Sequence, residues 1–80
     1  MQRVKVLVTL KPSLLDAQGK VVQDGLHALG YDNVESVRIG KVVELNLTDG
    51  TVNVQEQVRE MCQRFLANTV IENYDIEVLN

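Results

Sequence analysis

The sequence predicts an α+β sandwich: three strands and two helices in the order β-α-β-α-β, with both helices laid on one face of the sheet. Three observations carry that prediction. Apolar residues alternate at period two in three stretches of the 80-residue chain, and they recur at steps of three and four in two others. Each helical stretch has a single apolar stripe, which a sheet face has to cover.

The first alternating stretch runs from Arg3 to Leu10, with Val4, Val6, Val8 and Leu10 on one face and Arg3, Lys5 and Thr9 on the other. Lys11-Pro12 closes it, because proline lacks the donor that a central strand needs and restricts the residue before it. Ser13-Leu-Leu-Asp16 then supplies capping residues, and Asp16 falls near the positive end of the next helix. From Ala17 the spacing Val22, Leu26, Leu29 makes a stripe flanked by Val21 and Ala28, with Lys20, Gln23, Asp24 and His27 expected to face water. Gly30 is the natural stop.

The central stretch, Val34 to Thr48, alternates through Val37, Ile39, Val43, Leu45 and Leu47, with Lys41 breaking the phase. As one strand it would run about 50 Å, whereas a globule with a radius of gyration near 12 Å is only about 30 Å across. Such a strand either bends sharply at Gly40, where no side chain opposes a bulge, or projects its far half to pair with another chain; a kink with partner pairing is the expectation. After it, Thr48-Asp49-Gly50 is a turn, and Asn53 with Glu56 three residues on marks a helix start. Val54, Val58, Met61, Cys62, Phe65 and Leu66 form the cleanest helical stripe, Asn68 is expected to end it, and Tyr74 to Leu79 alternates as a closing strand. The arrangement resembles a ferredoxin-like fold whose central hairpin has been pulled open into one long bent strand. Its two halves would take the places of the missing hairpin strands, in different sheets of a dimer.

Composition narrows function by exclusion. The net charge of -3, with acids and bases interspersed, and the three aromatics Tyr31, Phe65 and Tyr74 give no basic stripe and no stacking platform for nucleic acid. A single cysteine rules out a disulfide framework, and no apolar run is long enough to span a membrane. A reduced, cytoplasmic setting is the expectation, for one domain covering residues 1–80.

Catalytic signals are absent from the pattern. His27, the only histidine, lies on the polar side of its helix with no fixed partner suggested, and reads as solvated rather than as a base. Cys62 lies in an apolar stripe, where a buried inert thiol is expected, without neighbours for metal. Asp16-Ala-Gln-Gly19 and Arg38-Ile-Gly-Lys41 are glycine-containing turns without the spacing of a phosphate loop or a dinucleotide fingerprint. Strand phase puts Lys41 on the apolar face, which a bulge at Gly40 or a snorkelling stem explains as readily as a ligand does. Lys11, Asp16, Gln18, Arg38 and Lys41 cluster at the turns and the strand break and are the candidate partner-binding residues.

Four fragments carry a resemblance across nearly the whole chain: Leu10-Lys-Pro-Ser-Leu-Leu-Asp-Ala-Gln-Gly19, Leu26-His-Ala-Leu-Gly-Tyr31, Val37-Arg-Ile-Gly-Lys41 with Glu44-Leu45, and Cys62-Gln-Arg-Phe-Leu-Ala-Asn68 before Val70-Ile-Glu72. In this order and spacing the sequence resembles the PurS small-subunit family of phosphoribosylformylglycinamidine synthase. It departs from the family at Ser13, where glycine is frequent, and at Ala17 and Thr69, where proline is.

The resemblance implies a PurS-like dimer or tetramer that joins a glutaminase subunit to a large ATP-dependent synthetase subunit in the fourth step of purine biosynthesis. It also implies that the chain assists ammonia transfer in converting formylglycinamide ribonucleotide to the amidine. It implies no active site and no bound cofactor in this chain, with ATP and magnesium used by the synthetase partner. Two other classes stay open from the residues themselves. One is a small-molecule-sensing regulatory domain of ferredoxin-like type that uses the Pro12 to Gly19 turn; the other is a small independent enzyme that uses Lys41 or His27.

Overall fold

A computed structural model describes residues 1–79 and shows the predicted order: β1 (Gln2–Leu10), α1 (Ala17–Ala28), β2 (Gly40–Leu47), α2 (Val54–Met61) and β3 (Glu72–Val78). The sheet runs β2-β1-β3 and is antiparallel throughout. Pairing places Val4 between Leu45 and Val78, Val6 between Val43 and Ile76, and Val8 between Lys41 and Tyr74. One sheet face is therefore apolar, as the alternation required, and Lys41 stands on that face at its β2 margin. The core is small. Val4, Val6, Val8, Val58, Cys62 and Ala67 are buried, with Val43, Leu45, Leu47, Val54, Leu66, Tyr74 and Ile76 packed around them.

The chain is not a globule. Its radius of gyration is 16.1 Å, against the 12 Å or so expected for a compact chain of this length. Its dimensions are 50 × 25 × 14 Å. A nine-residue strand of about 30 Å followed end to end by a twelve-residue helix of about 18 Å accounts for the long axis. That arithmetic puts α1 beyond the end of the sheet, and no α1 residue belongs to the core or packs against it. Only α2 packs on the sheet, chiefly along β3. The expectation of two helices on one face of the chain's own sheet is corrected accordingly.

The central strand is corrected as well. Residues 34–39 join no strand, and β2 begins at Gly40. A Cβ on Gly40 would stand 2.5 Å from the carbonyl oxygen of Val8 and 2.9 Å from Thr9 Cγ2, so only glycine lets the chain enter the ladder here. The predicted kink is thus the point where a segment outside the sheet becomes a strand inside it. Gly50, at φ 81°, closes the turn after β2, where the Thr51 N–H donates to the Thr48 carbonyl.

The second helix starts at Asn53, but Asn53 is left-handed (φ 55°) and its side chain caps nothing. Glu56 instead pairs with Arg59 at 2.6 Å, so the expected capping box does not form. Past Met61 the helix widens into a π turn, Cys62–Leu66, in which the Ala67 N–H reaches back five residues to the Cys62 carbonyl. The extra residue brings both Cys62 and Ala67 to the core and turns Phe65 outward, leaving it 89% exposed. A pure 3.6-residue period had assigned Phe65 to the core. Asn68 follows the helix and organises the next turn: its side chain accepts from the Val70 N–H, and its carbonyl accepts from the N–H groups of Ile71 and Glu72.

Burial pushes the Cys62 thiol above its ordinary pKa and so keeps it protonated. Cys62→Ser should lower stability by about 1–3 kcal/mol, because a hydroxyl would be left without a partner in an apolar core. Cys62→Ala should cost less than the serine variant. Urea midpoints of the two variants check the order.

Candidate subunit interface

The five residues singled out from the sequence meet where β1 ends, α1 starts and β2 begins. Asp16 is the organiser. It is 5% exposed and caps α1: one carboxylate oxygen accepts the Gly19 N–H at 2.8 Å, and the other accepts the Ile39 N–H at 2.6 Å. A single side chain thus fixes the helix start and ties it to the residue before β2. The Ile39 and Gly19 hydrogen bonds hold the carboxyl below its usual pKa against the opposing effect of burial, and the nearby Arg38 guanidinium adds to the lowering.

Arg38 binds the other side of the same turn. Its guanidinium donates to the carbonyls of Leu14 at 2.9 Å and Lys11 at 3.0 Å, so residues 11–14 are clamped from below. Lys11 contributes its backbone here, donating its N–H to the Ile71 carbonyl at 2.9 Å. Asp16, Gln18, Ile39, Lys41 and Glu72 line a cleft of about 260 Å³. Within the predicted set, Asp16 is buried and Arg38, though exposed, is spent on backbone carbonyls, whereas the exposed side chains of Gln18 and Lys41 make no such bond to the turn.

Residues 34–39 run back along α1 and are laced to it by side chains that the sequence reading had left to solvent. Gln23 Nε2 donates to the carbonyls of Glu35 (2.8 Å) and Val34 (3.3 Å), and His27 Nε2 donates to Val34 O at 2.8 Å. His27 has a fixed partner after all, and the bond is one of architecture rather than of proton transfer. The backbone approaches so closely that a Cβ on Gly19 would lie 2.1 Å from the Val37 carbonyl oxygen. The spacing Asp16, Gly19, Gln23, His27 at steps of three and four was the available signal, a polar stripe built to bind backbone rather than water.

The helix therefore presents its polar stripe to its own chain and leaves much of its apolar stripe outside. Val21 is 71% exposed and Leu29 75%. Gly30, at φ 101°, ends the helix as expected. Its N–H donates to the His27 carbonyl and the Tyr31 N–H to the Leu26 carbonyl, the paired bonds of a glycine-terminated helix.

Comparison with known proteins gives the family of the chain. The family model described as "PurS: Phosphoribosylformylglycinamidine (FGAM) synthase" matches residues 3–80. The chain belongs to the PurS family. It is 50% identical over 78 residues to the phosphoribosylformylglycinamidine synthase subunit PurS of Bacillus subtilis, covering 98% of this chain and 93% of that one. A solved structure of B. subtilis PurS superposes with a TM-score of 0.90 at 49% identity and full coverage of both chains. The PurS of Methanocaldococcus jannaschii, described as one of the subunits of formylglycinamide ribonucleotide amidotransferase in the purine biosynthetic pathway, gives 0.87 at 36% identity. That comparison covers 98% of this chain and 95% of the other. PurS is a subunit of the synthase of purine biosynthesis, a ligase complex. Among the described residues no group of three or more His, Cys, Asp or Glu is placed to hold a metal ion, and no helix is long and apolar enough to cross a membrane.

Two outcomes test the Asp16 tie. Its lowered pKa means that its stabilisation is full above the ordinary value of 3.8 and is lost as pH falls through the lower folded value. Amide protection at Gly19 and Ile39, measured relative to an Asp16→Asn variant, should hold steady down to about pH 5 and collapse only in stronger acid. Gly19→Ala should release the 34–39 segment at any pH, seen as lost protection at Ile39 by the same hydrogen-exchange measurement.

Proposed function

We propose that this chain is the non-catalytic small subunit of a cytoplasmic phosphoribosylformylglycinamidine synthase. As a homodimer it joins a glutaminase subunit to the ATP-dependent synthetase subunit and aids passage of ammonia between them. The observation that carries the reading is the near full-length match to chains named as the PurS subunit of this synthase, by sequence and by structure. The chain binds no cofactor; ATP and magnesium belong to the synthetase partner.

Physical features support a role in assembly. The 50 Å long axis is long for 80 residues and suits a part that spans between larger bodies. Apolar side chains exposed on α1, on the π turn and near the chain's other turns need partners for burial, whereas the Gly19 and Ile39 amides at the Asp16 turn are already engaged. Holding two active sites in register raises the effective concentration of a small, diffusible intermediate at the second site. Ammonia is such an intermediate. Gln18 and Lys41, exposed beside a turn clamped by Asp16 and Arg38, are contacts for a partner subunit on a rigid mount.

Reconstitution with the two partner subunits tests this. Lys41→Ala, which leaves the Asp16 and Arg38 bonds intact, should weaken association with the large subunit and reduce glutamine-driven synthesis more than synthesis driven by added ammonium salt. The double variant Arg38→Ala/Lys41→Ala should do so more strongly, since it also frees the turn. Equal loss of both activities in an intact complex would place these residues in support of the synthetase active site. Turnover by the isolated chain would contradict the assignment.

A further inference from the structure

We infer that the cleft at the Asp16 turn binds a small α-amino acid, with Lys41 taking the carboxylate, Glu72 the ammonium group and Gln18 the polar end of the side chain. The inference goes beyond the synthase reading, because it concerns a ligand of the chain itself.

The sheet register builds the site. Lys41 stands opposite Val8 on β2 and Glu72 opposite Leu10 on β3, so both belong to the apolar face, one on each side of β1. Two interstrand steps and an offset of two residues put their Cα atoms about 12 Å apart. Both line the cleft of about 260 Å³, with Leu10, Ile39 and Gln18 among its other walls.

The two charges are opposite in sign and unspent. Among the described residues the Lys41 ammonium makes no ion pair. Glu72 is half-buried, and the Asn68 N–H donates to one of its carboxylate oxygens at 2.7 Å, which fixes the group and leaves the second oxygen for a ligand. Asp16, the other acid in the wall, is already engaged by the Gly19 and Ile39 amides.

This pattern selects the ligand class. A simple anion drawn to Lys41 would meet Glu72, and a simple cation drawn to Glu72 would meet Lys41. A zwitterion satisfies both with charge-assisted hydrogen bonds. Its methylenes would lie on Leu10 and Ile39, and the Gln18 amide, donor and acceptor together, suits a polar tail. The volume falls just below that of sites for drug-sized molecules and admits a metabolite of about ten heavy atoms. Gln18 and Lys41 are also the residues offered to the partner subunit, so a bound amino acid would be coupled to that association.

Titration of the isotope-labelled full chain with L-glutamine, followed by amide chemical shifts, tests the site without partner subunits. Saturable shifts in the millimolar range are expected at Gln18, Ile39, Lys41 and Glu72. Lys41→Met, which keeps the apolar stem, and Glu72→Gln, which keeps an acceptor for Asn68, should each weaken binding about tenfold or more, the scale of a hydrogen bond to a charged group. N-acetylglutamine, without the ammonium group, and glutaminamide, without the carboxylate, should lose affinity likewise. Absence of saturable shifts at these amides overturns the inference. So does equal binding of acetate, which would make Lys41 a counter-ion site only, or unchanged affinity in both variants with their spectra otherwise intact. None of these results bears on the synthase reading, which reconstitution with the partner subunits tests separately.

Discussion

The Asp16 carboxylate is the interaction on which the rest of the structure depends. It satisfies the first turn of α1 and the amide of Ile39 together, so the direction of the helix and the entry of β2 into the sheet are set by one group. Were this bond absent, α1 would be free to fall onto the apolar face that its stripe matches. With it, and with Arg38 holding the carbonyls of Lys11 and Leu14, the helix and its returning segment form an arm. Glycine makes the arm possible at two points of close backbone approach, Gly19 beneath Val37 and Gly40 beside Val8. Charge-assisted bonds to backbone amides are among the stronger hydrogen bonds available to a small domain, which suits a joint that works against hydrophobic collapse.

From the arm follows the division of labour. A chain of 80 residues with a core centred on three strand valines, a helix valine, a cysteine and an alanine has little burial of its own to stabilise it. Apolar area that a monomer would use internally is held in reserve on α1 and beside Phe65. In the proposed synthase this reserve goes into association, and the chain's contribution to the reaction is geometric: it sets where two active sites stand relative to one another. A side chain that positions backbone, such as His27, is then as much a part of function as a catalytic base would be elsewhere.

The fold was legible where burial enforces a period. Val4, Val6 and Val8 declared β1, Val54 and Val58 declared α2, and the switch at Gly40 was visible because a strand of that length does not fit a small globule. Two features were less legible. The alternation of Val37 and Ile39 continues that of β2, yet pairing is a property of neighbours, and this chain offers residues 34–39 a helix rather than a strand. Phe65 sat at a helical step from Cys62, and only the i-to-i+5 bond at Ala67, invisible to a 3.6-residue template, moves it outside. The five residues named from the sequence come together at one turn with mixed roles there: Asp16 and Arg38 build the joint, whereas the side chains of Lys41 and Gln18 are exposed beside it. Gln23 and His27 were missed because polar residues opposite an apolar stripe look the same whether they bind water or a carbonyl.

The account turns on α1 being held away from its own sheet, and an intrachain distance measures that directly. Spin labels at Tyr31, near the tip of the arm, and at Val52, beyond the opposite end of the sheet, both occupy exposed positions. Dilution of doubly labelled chains with unlabelled ones leaves one labelled chain in any assembly. Pulsed electron resonance should then return one narrow distance population comparable with the 50 Å long axis. A population at well under half that length would show α1 folded back over β2 of the same chain and would contradict the arm.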